Sequence, residues 1–276
     1  MKYDVLHLKD YYDFLGNNGC DPTVTMYLPD NLSEMNRTEQ KRPCLIVCPG
    51  GGYEFCSTRE GEPIALNFLP EGYNVFLLWY SVAPNKFPTQ LREVAAVMEL
   101  IYKNSEEWHC DTEKTAIIGF SAGGHLAAHY STAFDCDEVR EVFPESKSVN
   151  ASILSYPVIS ADPKFSHKGS FCNLLGKTEI TSDDIDKFSC DRLVTDKTPP
   201  AFLWHTSEDS CVPMPNSLLY AQSLWEHNIP VELHVYPFGG HGLSTADLQT
   251  NDVIPDNIAH NCEWIYSVKN WLKNIF

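Results

Sequence analysis

A serine within a glycine-rich turn is the residue of this sequence best suited to nucleophilic chemistry. Ser121 lies in the stretch GFSAG, residues 119–123, which follows an apolar run at residues 115–118. A serine hydroxyl becomes a useful nucleophile where a tight strand-to-helix turn exposes it, because small neighbours let a base approach. The pattern predicts a nucleophile at Ser121, although by itself it also fits an ordinary glycine turn.

A second glycine turn follows an earlier apolar run. Residues 45–48 are apolar and lead into PGGGY, residues 49–53. In such a loop, free backbone N–H groups can point at the negative charge that develops on a carbonyl oxygen during acyl transfer. We expect the amides of Gly51 and Gly52, together with that of Ala122 beside the serine, to form an oxyanion hole.

Two later strands each precede a residue that could complete the site. Residues 201–205 read as a buried strand and lead into the polar loop that contains Asp209, and the strand at 231–236 leads to His241 within GGHG. An acid and then a histidine, each just beyond a late strand, is the order in which an α/β architecture assembles a triad. We therefore expect Asp209 to orient His241, and His241 to accept the proton of Ser121.

Taken together, these segments resemble the α/β-hydrolase superfamily, and within it the carboxylesterase and acetyl-xylan-esterase-like group related to hormone-sensitive lipase. The resemblance covers most of the chain and also rests on YSVAP at residues 80–84 and on GGHL at residues 123–126. It favours Asp209 over the neighbouring Glu208, because the family pattern has Val-Pro three residues after the acid. Many relatives begin the oxyanion loop with histidine, where this sequence has Pro49.

The rest of the chain alternates between strand and helix patterns. Strands are predicted at residues 23–28, 45–48, 74–80, 115–118 and 151–154, and helices over residues 91–102 and 122–130. This alternation indicates an α/β fold with a mostly parallel central sheet and helices on both faces, whose ligands bind at the carboxyl ends of the strands. No linker or repeat divides residues 1–276, so we expect one α/β-hydrolase domain. Residues 160–199 have weak periodicity and suggest a small cap, or else a helical excursion at the sheet edge.

Composition narrows the classes of function. The formal net charge of −17 argues against nucleic acid, which needs a cationic face. The sequence has neither an apolar signal core at its start nor the ~20 apolar residues of a membrane span, so we expect a cytoplasmic protein without membrane contact. The ten cysteines are scattered without a C-x-x-C pair and are interpreted as free thiols.

Histidines outside the proposed triad raise the question of a metal. His125 and His129 are four residues apart on the helix after Ser121, a spacing that a metal site can use. Packed histidines are the commoner reading, and His205 and His234 are likewise interpreted as packed or surface residues. No H-E-x-x-H or comparable spacing is present, so neither a metal nor an organic cofactor is expected.

The function implied by the resemblance is acyl transfer to water. It predicts a serine esterase acting on short acyl groups, acetyl above all, with a small-molecule ester as partner. The resemblance suggests sugars or xylo-oligosaccharides as the alcohol portion, while the residues alone fit any small ester equally well. Tyr53 and Tyr156 are expected to line the substrate pocket. An arylformamidase, a small serine peptidase and a non-catalytic binding module of the same fold remain alternatives, and a homodimer is compatible with the sequence but not specified by it.

Overall fold

One eight-stranded sheet organises the protein, and the computed structural model describes all 276 residues. In spatial order the strands run β1-β2-β4-β3-β5-β6-β7-β8, with β1 and β2 antiparallel to their neighbours and the remaining strands parallel. The strands are β1 Lys2–His7, β2 Thr23–Leu28, β3 Arg42–Cys48, β4 Asn74–Trp79, β5 Cys110–Phe120, β6 Ala151–Ser155, β7 Ala201–Thr206 and β8 Val231–Tyr236.

Eight α-helices accompany the sheet. They are α1 Glu62–Phe68, α2 Thr89–Lys103, α3 Ser121–Ala133, α4 Asp137–Arg140, α5 Lys168–Leu175, α6 Ser182–Phe188, α7 Pro215–Glu226 and α8 Glu263–Ile275. None of them combines the length and the apolarity that crossing a membrane requires. All ten cysteines are free thiols in the structure.

Two hydrophobic cores cover the two faces of the sheet. Buried side chains of α2, α3 and α7 belong to one cluster, and those of α1 and α8 belong to the other. The central strands β3, β5, β6 and β7 are therefore buried on both sides, which is why their sequences are nearly continuous apolar runs rather than alternating ones. On the α8 face, the rings of Trp204 and Trp264 stack with centroids 5.1 Å apart.

The expected pattern of strands and helices is confirmed from β2 onward. Each strand or helix predicted from β2 to β8 is present, and β5 begins earlier than its apolar run, at Cys110. The segment 160–199 contains α5 and α6 between β6 and β7. It lies beside the carboxyl ends of the parallel strands, where α5 contacts the glycine loop after β3 through a hydrogen bond from Asn173 Nδ2 to the Gly52 carbonyl (2.9 Å).

Candidate active site

The turn between β5 and α3 holds Ser121 in a conformation that few non-glycine residues adopt. Its φ is 52°, in the left-handed region, and its side chain lies at the first position of α3. A Cβ on Gly123 would lie 2.2 Å from the carbonyl oxygens of Cys48 and Pro49, so only glycine permits this approach of the helix to the loop after β3. The sequence thus builds the tight turn that exposes the serine hydroxyl.

Three side chains predicted from sequence meet at this turn. His241 Nε2 lies 2.8 Å from Ser121 Oγ, and His241 Nδ1 lies 2.6 Å from Asp209 Oδ2. Because a carboxylate only accepts, the Nδ1–H of His241 donates to Asp209, which leaves Nε2 free to accept the serine proton. The arrangement can activate the hydroxyl for attack on a carbonyl carbon.

The carboxylate of Asp209 is fully enclosed and fixed from both sides. Its Oδ1 accepts hydrogen bonds from the backbone N–H groups of Cys211 and Val212, each at 2.9 Å, while Oδ2 faces His241 and lies 3.3 Å from His205 Nε2. Burial opposes ionisation, but the hydrogen bonds from His205 and His241 outweigh it and lower the pKa of Asp209 below its ordinary value. The acid is therefore an ionised acceptor in the folded protein.

The neighbouring acid and the other strand histidines have separate partners. Glu208 Oε2 accepts from the Gly239 N–H at 3.1 Å. His205 is buried between Ser217 Oγ (2.8 Å) and the Val212 carbonyl (2.9 Å), while His234 stacks on Phe202 with ring centroids 5.1 Å apart. In addition to packing, His205 supports Asp209 from behind, a contact that the sequence did not reveal.

The loop after β3 presents unpaired amides to the same cleft. Gly51 has φ 130°, and a Cβ there would lie 2.1 Å from the Phe55 carbonyl oxygen, so the turn requires glycine. The N–H groups of Gly51 and Gly52 make no hydrogen bond within the protein. Ala122 lies in the first turn of α3, where N–H groups have no partner within the helix. Of the three amides expected to form an oxyanion hole, one is in the turn that contains Ser121 and two are in the glycine loop after β3.

Side chains from three other segments hold this loop in place. The Tyr80 hydroxyl donates to the Pro49 carbonyl (2.6 Å), the Gly50 N–H donates to Glu60 Oε2 (2.8 Å), and Asn173 Nδ2 donates to the Gly52 carbonyl. These contacts support the loop that begins with Pro49.

Glu60 connects the oxyanion loop to the histidine loop. Its Oε1 accepts from the Tyr156 hydroxyl at 2.6 Å, and that hydroxyl accepts from the Ser244 N–H at 2.9 Å. Burial is the largest influence on the Glu60 carboxyl and raises its pKa, despite the hydrogen bonds from Tyr156 and Gly50. No sequence motif singles out this residue, since an isolated glutamate usually indicates a solvated surface.

The structure corrects the expected roles of Tyr53 and Tyr156. Both side chains are in the core, with exposed fractions of 1% and 2%, so neither ring can stack on a substrate in the cleft. The Tyr53 hydroxyl bonds to His125 Nδ1 at 2.8 Å, and the Tyr156 ring packs edge-on against His241 with centroids 5.0 Å apart. The two tyrosines therefore stabilise the site from within rather than line it.

The histidine pair on α3 is packed in the core. His125 Nε2 donates to the Phe188 carbonyl at 2.9 Å, so its Nδ1 accepts from the Tyr53 hydroxyl, and His129 stacks on Phe87. Burial lowers the pKa of His125 to about 4 and that of His129 to about 3, which keeps both rings neutral. No group of three or more His, Cys, Asp or Glu side chains in the structure is arranged to hold a metal ion.

A cleft of about 270 Å³ opens beside the serine. Ser121, His241, Gly51 and Gly52 line it, and so does His167, which precedes α5 in the segment expected as a cap. Its lining includes exposed residues such as Arg59, so the cleft is open to solvent, and most of the residues that line it have polar side chains. Its volume lies just below the ~300 Å³ at which ordinary small-molecule pockets begin.

Comparison with known proteins finds one matching family model and several similar proteins. The BD-FAE family model matches residues 27–224. Endo-1,4-beta-xylanase B of Butyrivibrio fibrisolvens is 37% identical over 231 residues, which cover 80% of this chain and 35% of that protein. Acetylxylan esterase of Xylanibacter ruminicola is 28% identical over 256 residues, which cover 91% of this chain and 48% of that protein. The matched region is thus about a third to a half of the length of these curated relatives.

A solved structure matches the protein over its whole length. The acetyl ester-xyloside bifunctional hydrolase from Caldicellulosiruptor lactoaceticus superposes with a TM-score of 0.85 at 34% identity. The match covers 99% of this chain and 96% of that chain. The similarity confirms the α/β-hydrolase architecture that the sequence predicts.

Proposed function

This chain belongs to the BD-FAE family and to the carboxylic ester hydrolases of the α/β-hydrolase fold, and on that premise we propose that it removes acetyl and other short acyl groups from sugar esters. Ser121 is the proposed nucleophile, His241 the general base and acid, and Asp209 the residue that orients the imidazole. The observation that carries the proposal is the continuous hydrogen-bonded series from Ser121 Oγ through His241 to Asp209 at the floor of an open cleft.

The first half of the reaction forms an acyl-enzyme. His241 Nε2 accepts the hydroxyl proton as Ser121 Oγ attacks the ester carbonyl carbon, and negative charge develops on the carbonyl oxygen. The amides of Gly51, Gly52 and Ala122 would stabilise this oxyanion, each worth ~3 kcal/mol in the transition state. When the tetrahedral intermediate collapses, the carbon–oxygen bond to the alcohol breaks and His241 protonates the leaving oxygen.

The second half regenerates the serine. Water replaces the alcohol beside His241, which accepts one of its protons as the water oxygen attacks the acyl carbon. Collapse of this second intermediate breaks the bond to Ser121 Oγ, returns the proton to it and releases the carboxylic acid. Asp209 remains ionised throughout and stabilises the imidazolium that forms in each half.

The cleft supports a short acyl group on a polar alcohol. A volume of about 270 Å³ is small for a long acyl chain. Phe55 is the one aromatic residue among the lining residues, and polar side chains such as Arg59 and His167 predominate. Hydroxyl groups of a sugar can pair with such side chains, whereas an aliphatic alcohol would leave them without partners. The names of the xylan-related relatives agree with this substrate class.

A substrate panel tests the proposal. We expect the wild-type enzyme to prefer p-nitrophenyl acetate within a series from acetate to octanoate, and to release acetate from acetylated xylo-oligosaccharides. N-formylkynurenine and a peptide p-nitroanilide represent the formamidase and peptidase alternatives, and we expect both to react much more slowly. A preference for octanoate, or faster turnover of either alternative substrate, would contradict the proposed function.

A further inference from the structure

A second histidine, His167, lies in the cleft and has no part in the proposed triad. It immediately precedes α5, and its side chain lines the cleft together with Ser121 and His241. No motif in the sequence identifies it. Its ring is half-buried, so it is shielded from bulk water and still open to the cleft.

The proton of His167 is on Nε2, the ring nitrogen that does not cap the helix. Its Nδ1 caps α5 by accepting from the backbone N–H of Ser170 (3.3 Å), and it lies 2.8 Å from Ser170 Oγ. A backbone N–H can only donate, so Nδ1 is unprotonated and Nε2 has the proton. Burial and the nearby His241 both lower the pKa of His167, which favours this neutral form. The Nε2–H group makes no hydrogen bond within the protein.

The position of this donor is fixed relative to the proposed oxyanion hole. Helix α5 is attached to the glycine loop by the bond from Asn173 to the Gly52 carbonyl, and to the loop before α2 by the bond from the Phe87 N–H to the Leu174 carbonyl (2.8 Å). The segment therefore holds His167 on one wall of the cleft as a preorganised, unpaired hydrogen-bond donor.

We propose that His167 is a specificity-determining residue whose Nε2–H donates a hydrogen bond to an oxygen in the alcohol portion of the ester. The proposal rests on the proposed function, because that reaction fixes where each part of the substrate lies. The carbonyl oxygen faces the amides of Gly51 and Gly52, and the leaving oxygen faces His241. The neutral Nε2–H group of His167, on the wall of the cleft formed by the segment 160–199, is thus available to a hydroxyl or ring oxygen of the sugar.

The variant His167→Asn separates this role from support of the helix. Asparagine is among the best N-cap residues, so its side-chain oxygen can replace Nδ1 at the start of α5 while the Nε2 donor is lost. We expect an unchanged Tm and a drop in kcat/KM on acetylated xylo-oligosaccharides of roughly tenfold, the effect of one lost hydrogen bond. On p-nitrophenyl acetate, whose leaving group has no sugar oxygens, the loss should be several-fold smaller. Lys168→Ala, an exposed neighbour, is the matched control.

Three results would overturn the proposal. One is an equal loss on both substrates, which would mean that His167 acts on the acyl group or on the triad. The second is full activity of His167→Asn on the sugar ester. The third is a wild-type enzyme that hydrolyses p-nitrophenyl acetate but no sugar acetate. Failure of the proposed chemistry itself is distinguishable, because it would appear as activity that survives Ser121→Ala.

Discussion

Replacing Asp209 with asparagine should move the imidazole proton of His241 from Nδ1 to Nε2 without changing the shape of the site. Oδ1 of Asp209 accepts two backbone N–H groups, those of Cys211 and Val212, each at 2.9 Å. The oxygen of an asparagine must remain at that position, because an NH₂ group there would face two donors. Its NH₂ group would therefore replace Oδ2, the atom that lies 2.6 Å from His241 Nδ1.

The consequence for catalysis is large. An NH₂ group opposite Nδ1 forces that nitrogen to accept, which moves the imidazole proton to Nε2. His241 could then no longer accept the proton of Ser121. In a serine protease, a wrong tautomer of this kind costs ~10⁴-fold in kcat, which corresponds to ~5 kcal/mol of transition-state stabilisation. We expect a loss of the same order for Asp209→Asn, with little change in KM.

The assay compares Asp209→Asn with Glu208→Gln for hydrolysis of p-nitrophenyl acetate at neutral pH. Glu208 is an exposed neighbour that bonds only to the Gly239 N–H, and glutamine keeps an oxygen for that contact. Its variant should stay within about threefold of the wild type, as for most surface substitutions. Thermal denaturation of both variants would control for misfolding. An Asp209→Asn enzyme within about tenfold of the wild-type kcat, or an equal loss in Glu208→Gln, would refute this reasoning.

Two further predictions concern buried titratable groups. In Glu60→Gln, one side-chain oxygen faces two donors, the Gly50 N–H and the Tyr156 hydroxyl. Because one hydrogen bond to a charged group is then lost, kcat should fall roughly 10- to 100-fold with KM nearly constant. Because burial lowers the pKa of His125 to about 4 and of His129 to about 3, the unfolded state binds protons first as pH falls. The free energy of unfolding should decrease below about pH 6.5, by up to ~1.4 kcal/mol per pH unit for each histidine.

Matched variants check both predictions. Glu54→Gln changes an exposed carboxyl in the same cleft and should leave kcat near the wild-type value, so an equal effect of the two glutamine variants would contradict a positioning role for Glu60. For the pH prediction, urea denaturation of wild type and His129→Leu between neutral pH and about pH 5 is the measurement. The variant should lose less stability on acidification. If the free energies of unfolding of the two proteins fall in parallel with pH, the prediction is wrong.

The sequence was sufficient to locate strands β2 to β8 along the chain. The central strands are apolar where both of their faces are buried, and the glycine turns after β3 and β5 mark where two of them end. Strand β1 was not predicted, because it lies at the sheet edge and its residues are mostly exposed, so burial imposes no apolar pattern on it. The amphipathic helix α8 was not singled out either, although Trp264, Val268 and Trp271 recur at helical spacing on its buried face.

The site was predictable where a residue depends on its local turn and not where it depends on distant contacts. Ser121 and His241 belong to short glycine motifs, whereas Glu60 and His167 acquire their positions from residues far away in sequence. The expectation that Tyr53 lines the substrate pocket was wrong for the same reason. A tyrosine after a glycine loop fits a substrate platform, but its hydroxyl finds a buried partner on α3, which local sequence does not reveal.

Covalent labelling identifies the nucleophile of the proposed reaction. A fluorophosphonate reacts with a serine that a neighbouring base activates, and intact-protein mass spectrometry counts the adducts. We predict one adduct per wild-type chain, located at Ser121 by peptide mapping, together with loss of acetate release from acetylated xylo-oligosaccharides. Ser121→Ala should acquire no adduct and release no acetate. Labelling at another residue, or a Ser121→Ala enzyme that still releases acetate, would contradict the account.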